Sequence, residues 1–213
     1  MSTEPTIGST ETTIGAVLLD LGGVLVDWDP RHLYRPLFQG DEAAMEHFLT
    51  EICPPEWNRQ MDAGRPFDEA IAERQRLFPR HAELIALWKT GWEQMLREPI
   101  HDAVEVVDAL RRRGHRLYAL TNWSAETFPV ARARFAFLSW FEDIVVSGEV
   151  KLAKPDPRIF QLTFQRCGLT PASTLYVDDV RRNVEVAREL GLHALHFEHP
   201  RKLRADLERL GLL

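Results

Sequence analysis

Apolar residues along this chain follow two rhythms, and the alternation between them outlines an architecture. Short apolar runs, the form expected of strands buried on both faces of a parallel sheet, occur at 15–19, 115–120, 144–146, 174–177 and 192–197. The first four stop at small or polar residues: Asp20 with Gly22 and Gly23, then Thr121 and Asn122, Ser147 and Gly148, and Asp178 and Asp179. Between the runs, apolar positions recur every three to four residues over 100–113, 125–134, 157–167 and 180–190, the period of helices with one buried stripe. This alternation predicts an α/β fold with a doubly wound parallel sheet covered by helices on both faces. In open sheets of that kind ligands bind beyond the carboxyl ends of the strands, where the polar residues just named fall.

The stretch 29–97 breaks the alternation. It offers helical patterns at 41–52, 66–77 and 82–96 and no convincing strand, with Pro54, Pro55, Gly64, Pro66, Pro79 and Pro99 as boundaries. An all-helical cap inserted after the first strand is expected, leaving 14–28 and 98–213 as the core and 1–13 as a polar, flexible tail.

Charge and composition narrow the partners. Lys and Arg number 26 against 32 Asp and Glu, so the formal net charge is −6 and the basic surface needed for nucleic acid is not expected. No apolar run reaches the roughly 20 residues of a membrane span, and the first 13 residues lack the basic start and apolar stretch of a signal peptide, which together predict a cytoplasmic protein. Cys53 and Cys167 have no metal-ligand or disulfide spacing and read as reduced packing residues. A small-molecule substrate is the expectation that remains.

Four strand ends carry candidate chemistry. An aspartate at a strand end, followed by glycines that let backbone N–H groups approach an anion, suits Asp20 as a carboxylate nucleophile facing a phosphate or halide. Thr121 places a hydroxyl where a transferred group could be held. Lys154 is flanked by Pro155 and Pro157, and its ammonium could offset charge on nucleophile and substrate. Asp178 and Asp179 repel each other unless a cation lies nearby, and magnesium is the natural candidate. Taken singly, each has a commonplace alternative as a turn, cap or solvated loop residue.

Together, the segments VLLDLGGVLVDWDP, LYALTNWS, GEVKLAKPDPRIF and LYVDDVRRNVEVA resemble the four ordered motifs of the haloacid dehalogenase (HAD) superfamily, spanning Ala16 to Ala187. The helical insertion lies where that family carries a cap. The resemblance implies a Rossmann-like core in which Asp20 is the nucleophile, Thr121 binds the transferring group, Lys154 steadies the nucleophile and Asp179 binds magnesium. Asp20 and the carbonyl of Gly22 would be further ligands, with Asp178 beside them. One position departs from the pattern: most phosphatases of the family carry a general acid and base two residues after the nucleophile, and here that residue is Gly22. The family's 2-haloacid dehalogenases lack that acid too, but they need no metal and have serines at the position that resembles this chain's Asp178 and Asp179 pair. A magnesium-dependent phosphatase acting through an aspartyl-phosphate is therefore favoured over a 2-haloacid dehalogenase, with a non-catalytic binding member as a third reading.

Other features carry less. His193, His196 and His199 do not form a metal site on an extended segment, because 193 and 196 face opposite sides. Arg111 to Arg113 precede Gly114 as the basic end of a helix. Trp88 and Trp92 read as packing, whereas Trp28, Trp57 and Trp123 are expected, with Gly22, Gly23 and Asn122, to shape the substrate pocket.

Overall fold

The computed structural model describes residues 14–213; the expected polar tail lies outside the described residues. Its first strand, β1 (Ala16–Leu19), is buried at every position. It is followed by a two-stranded antiparallel ribbon made of β2 (Val26–Trp28) and β3 (Leu96–Pro99). Between these two strands the chain forms α1 (Arg31–Leu37), α2 (Glu42–His47), α3 (Pro55–Asp62), α4 (Phe67–Leu77), α5 (Ala82–Thr90) and α6 (Trp92–Met95). The rest alternates: α7 (His101–Arg112), β4 (Arg116–Thr121), α8 (Phe128–Arg134), β5 (Asp143–Val146), a single turn α9 (Ser147–Val150), α10 (Pro157–Cys167), β6 (Thr174–Asp178), α11 (Arg181–Glu189), β7 (His193–His196) and α12 (Pro200–Arg209).

Five strands form one parallel sheet in the order β5-β4-β1-β6-β7. Alternate residues of each strand serve opposite faces. Ala16, Leu18, Tyr118, Leu120 and Tyr176 pack under α10 and α11, while Val17, Leu19, Leu117, Ala119 and Val177 pack under α7 and α12. Both faces are covered, so neither the strands nor their sequence show a polar alternation. The fold is the doubly wound α/β arrangement that the pattern predicts. Its topological switch lies at β1, and Asp20 and Asp178 stand at the carboxyl ends of two adjacent strands, β1 and β6.

The helices begin and end for local reasons. At α10, Asp156 accepts a hydrogen bond from the Arg158 amide, Pro157 takes the first helical position and Gly168 ends the helix in the left-handed region. Helix α7 ends before Gly114, which has φ +85°.

The insertion is helical, with four departures from the expected pattern. The ribbon was not expected, and it carries the chain out of the core and back, extended by hydrogen bonds from the Asp29 amide to the Met95 carbonyl and from Ile100 to Leu25. Helices α1, which contains Pro36, and α3 were also not expected; the Pro54-Pro55 pair read as a break, whereas Pro55 starts α3, where its missing N–H costs nothing. The stretch 82–96 splits at Gly91, where a side chain would meet Leu33 of α1 at 2.9 Å. The stretch 41–52 passes from α2 into a wider π-type turn over Phe48–Ile52, which sends Phe48, Leu49 and Ile52 into the core. Among the described residues no helix is long and apolar enough to cross a membrane. Both cysteines are buried and free.

Candidate active site

The chain delivers its candidate residues to one point because all four strand ends face the same edge of the sheet. Asp20 follows β1, and its Oδ1 accepts the Leu21 amide at 2.7 Å. Its Oδ2 lies 2.8 Å from Lys154 Nζ, which is 2.7 Å from Asp178 Oδ2 and donates to the Leu120 carbonyl at 2.9 Å. An ammonium has three protons, and here each has an acceptor. The Lys154 backbone is clamped by Asn122, whose Oδ1 accepts the Lys154 amide at 2.8 Å and whose Nδ2 donates to the Lys154 carbonyl at 2.9 Å. The side chain of Asn122 is thus committed to holding Lys154.

Asp178 is fully buried. It accepts from Lys154, Tyr176 Oη, the Val180 amide and Asn183 Nδ2, which matches the roughly four lone-pair sites of a carboxylate. Asp179 differs: its carboxylate fills the space beside Gly23, where a Cβ would lie 2.3 Å from Oδ2. Oxygens of Asp20, Asp178 and Asp179 lie within 4.8 Å of one another. Three carboxylates thus share one ammonium.

The electrostatic consequences are uneven. Burial works against the Lys154 ammonium, but Asp178 and Asp20 overcome it and hold its pKa above the usual lysine range. Burial likewise opposes the Asp178 carboxylate, but Lys154 and the other donors pull its pKa below the usual value. Asp20 is pushed up to about 7, first by burial and then by Asp178 and Asp179, with Lys154 pulling the other way. Asp179 is also raised, by burial and by Asp178. With two negative charges in excess when all three carboxylates ionise, the cluster has the oxygen donors and the charge that suit a hard divalent cation. The Thr121 hydroxyl, at the end of β4, is buried and without a hydrogen-bond partner among the described residues. A buried orphan hydroxyl beside such a cluster is what a bound oxyanion would satisfy.

Two cavities lie between this edge and the cap. The larger, about 600 Å³, is lined by Trp28, Arg31, Arg59, Trp88, Lys154 and Arg182 among others. The smaller, about 70 Å³, is lined by Gly22, Trp28, Asn58, Asp62, Trp92, Asn122 and Trp123. Trp28, Asn58 and Asn122 wall both. Trp57 lines neither: it is packed inside the cap against Trp88, with its indole N–H toward the Ala70 carbonyl at 3.3 Å. Trp88 and Trp92 both pack and line a cavity. The three histidines scatter, with His193 bonded to the Ala172 carbonyl, His196 to the Asp179 carbonyl and His199 capping α12.

A family model for haloacid dehalogenase-like hydrolases matches residues 14–191. The chain belongs to this family. Among its relatives, Phosphatase MT3486 of Mycobacterium tuberculosis is 32% identical over 117 residues, which are 53% of this chain and 54% of that protein. The chain spans from a tenth to about half of the length of such curated relatives. A HAD family enzyme of Bacteroides thetaiotaomicron, solved as a magnesium complex, superposes with TM-score 0.66 at 22% identity, covering 87% of this chain and 94% of that one. A dehalogenase superposes with TM-score 0.63 at 22% identity, covering 86% and 84%. At these identities the likeness is one of fold, shared by both HAD chemistries.

Several residues around the candidate site were not singled out from sequence. Asn183 is a polar residue in the buried stripe of α11, a signal that it has a buried partner. Tyr176 precedes the acidic pair in the same strand and aims its hydroxyl at Asp178. Asn58 and Asp62 lie on α3, a helix the proline pair had concealed.

Proposed function

We propose that this HAD-family chain is a magnesium-dependent phosphatase acting on a small phosphorylated metabolite. The observation that carries the reading is the cluster of Asp20, Asp178 and Asp179 around the single ammonium of Lys154. Displacement of halide from carbon needs no cation beyond that lysine, whereas phosphoryl transfer spreads charge over three oxygens and gains from more positive charge than one ammonium supplies. Asp20 and Asp179 would hold the ion, with the Gly22 carbonyl beside them; Asp178 has its oxygens engaged and instead holds Lys154. Bound there, magnesium would neutralise the excess carboxylate charge and polarise the phosphoryl group.

In this reading Asp20 attacks phosphorus in line with the ester oxygen, forming an aspartyl-phosphate as the P–O bond to the leaving group breaks. The Leu21 amide and Lys154 fix both oxygens of Asp20, so the carboxylate meets the phosphoryl group already oriented. Thr121 donates to a phosphoryl oxygen, and Lys154 balances charge between nucleophile and transferred group. Water then attacks the aspartyl-phosphate and releases inorganic phosphate.

The test is release of phosphate from an aryl phosphate with magnesium and with chelator, beside halide release from a 2-haloacid. Magnesium-dependent phosphate release without halide release is expected. Halide release that is indifferent to chelator would replace this reading with the dehalogenase one.

A further inference from the structure

We propose that Asp62, carried by the cap, is the general acid and base of this site and takes the place of the side chain that Gly22 lacks; the inference rests on the phosphatase reading above.

Four observations converge on this residue. Asp62 and Gly22 line the same small chamber, walled by Trp28, Trp92 and Trp123. A Cβ on Gly22 would meet nothing within 4 Å, so the space at the family's usual acid position is open to another group. The backbone of Asp62 is anchored to the core, because its carbonyl accepts from Ser147 Oγ at 2.5 Å. The segment after it is seated there too: Gly64 approaches the Gly148 carbonyl so closely that a Cβ would lie 3.0 Å from it, and the Phe67 amide donates to Glu126 at 2.9 Å. The side chain is oriented as well, with Asn58 Nδ2 donating to Oδ2 at 2.8 Å.

A structural explanation alone fits poorly. Asp62 is the last residue of α3, where the negative end of the helix disfavours a carboxylate. Its surroundings instead favour the neutral acid. Burial is the largest cause and the charge of Asp20 adds to it, pushing its pKa up to about 8, while the Ser124 amide and Arg59 pull the other way. The charged groups facing it are Arg59 from its own helix and Asp20 from the core. At neutral pH the carboxyl therefore carries a proton, as a general acid must.

The proton accounting closes over both steps. As Asp20 bonds to phosphorus and the P–O bond to the leaving group breaks, the carboxyl proton of Asp62 passes to the departing oxygen and the alcohol leaves. Asp62 is then a carboxylate. It accepts a proton from the water whose oxygen attacks the aspartyl-phosphate, and the P–O bond to Asp20 breaks, restoring both residues and releasing phosphate.

The test compares wild type with Asp62→Asn on an alkyl and a p-nitrophenyl phosphate at fixed magnesium, across pH. Asparagine keeps the volume and an oxygen that can accept from Asn58, but it has no acidic proton. The expected loss in kcat/KM is about 10²–10⁴-fold on the alkyl ester and under about tenfold on the aryl ester, whose leaving group needs little protonation. Because the protonated form is the active one, wild-type kcat/KM on the alkyl ester should fall as pH rises through about 8, and the variant should lack that limb. In the Asp62→Asn background, Gly22→Asp should restore part of the alkyl-ester rate. Equal losses on both esters, or no loss on either, would overturn the role. Wild-type protein inactive on both esters with magnesium would overturn the phosphatase reading itself, an outcome distinct from either of those.

Discussion

At the proposed metal site the Asp179 carboxylate occupies the space a Cβ on Gly23 would need, and Gly23→Ala tests that arrangement. Gly23 has φ +73°, a conformation that costs a residue with a Cβ roughly 1–2 kcal/mol. The added Cβ would also sit 2.3 Å from Asp179 Oδ2 and 2.9 Å from Cγ, whereas ordinary contact begins at 3.4 Å, so the carboxylate must retreat by about 1 Å. Magnesium tolerates little of that, since it demands near-octahedral oxygens at roughly 2.0–2.1 Å. Losing a well-placed group around a metal typically costs about 10–100-fold in affinity or activity. For a chain of 213 residues the strain alone should lower Tm by about 2–8 °C. Two readouts separate the effects: thermal unfolding without metal reports the backbone strain, and titration of magnesium against aryl phosphate turnover reports the displaced ligand. Gly22→Ala is the control for strain, because its Cβ meets nothing within 4 Å, and its Tm should stay within about 2 °C of wild type. A Gly23→Ala protein whose magnesium activation constant lies within threefold of wild type would show that Asp179 does not act from that cradle.

Two substitutions probe the remaining charges. Asp20→Asn should reduce phosphate release by at least about a thousandfold while leaving Tm unlowered, because it removes the nucleophile and also a buried carboxylate that burial disfavours; activity within tenfold of wild type would sink the covalent mechanism. Lys154→Met leaves Asp20 and Asp178 without their common partner, and breaking a buried pair in this way costs about 3–5 kcal/mol, which should appear as a Tm lower by about 10 °C. A Tm within about 2 °C of wild type would mean that the buried carboxylates tolerate losing the ammonium.

The sheet was legible because parallel strands buried on both faces leave a simple trace. The runs at 15–19, 144–146 and 174–177 each align within one residue of β1, β5 and β6, and Asp20, Thr121 and Asp178 fall at the strand ends where ligands gather. The ribbon of β2 and β3 left no such trace. Each strand has three or four residues, and each exists only because a partner some 70 residues away supplies its hydrogen bonds. Local pattern cannot report pairing at that distance. Helix α3 was hidden for a different reason, since Pro54 and Pro55 mark both an end and a beginning and only the continuation distinguishes them.

The same distinction separates the legible from the illegible parts of the candidate site. Asp20, Thr121, Lys154 and Asp179 carry meaning in sequence because each stands at a fixed offset from a strand. Asp62 has no such marker: its position depends on Ser147, 85 residues away, donating its hydroxyl to the Asp62 carbonyl, and on the Asn58 side-chain amide turning its carboxyl. Asn122 illustrates the converse. Its place after a strand suggested a substrate contact, and it does wall both cavities, but both ends of its amide are taken by the Lys154 backbone 32 residues away. Position in sequence thus indicates which edge a side chain reaches, while the hydrogen-bond partner, set by packing, decides what remains free to act there. By that criterion Thr121 and Asp62 are the informative residues of this site. The first is buried with its hydroxyl unpartnered, and the second lines the small chamber beside Gly22, where burial raises its pKa.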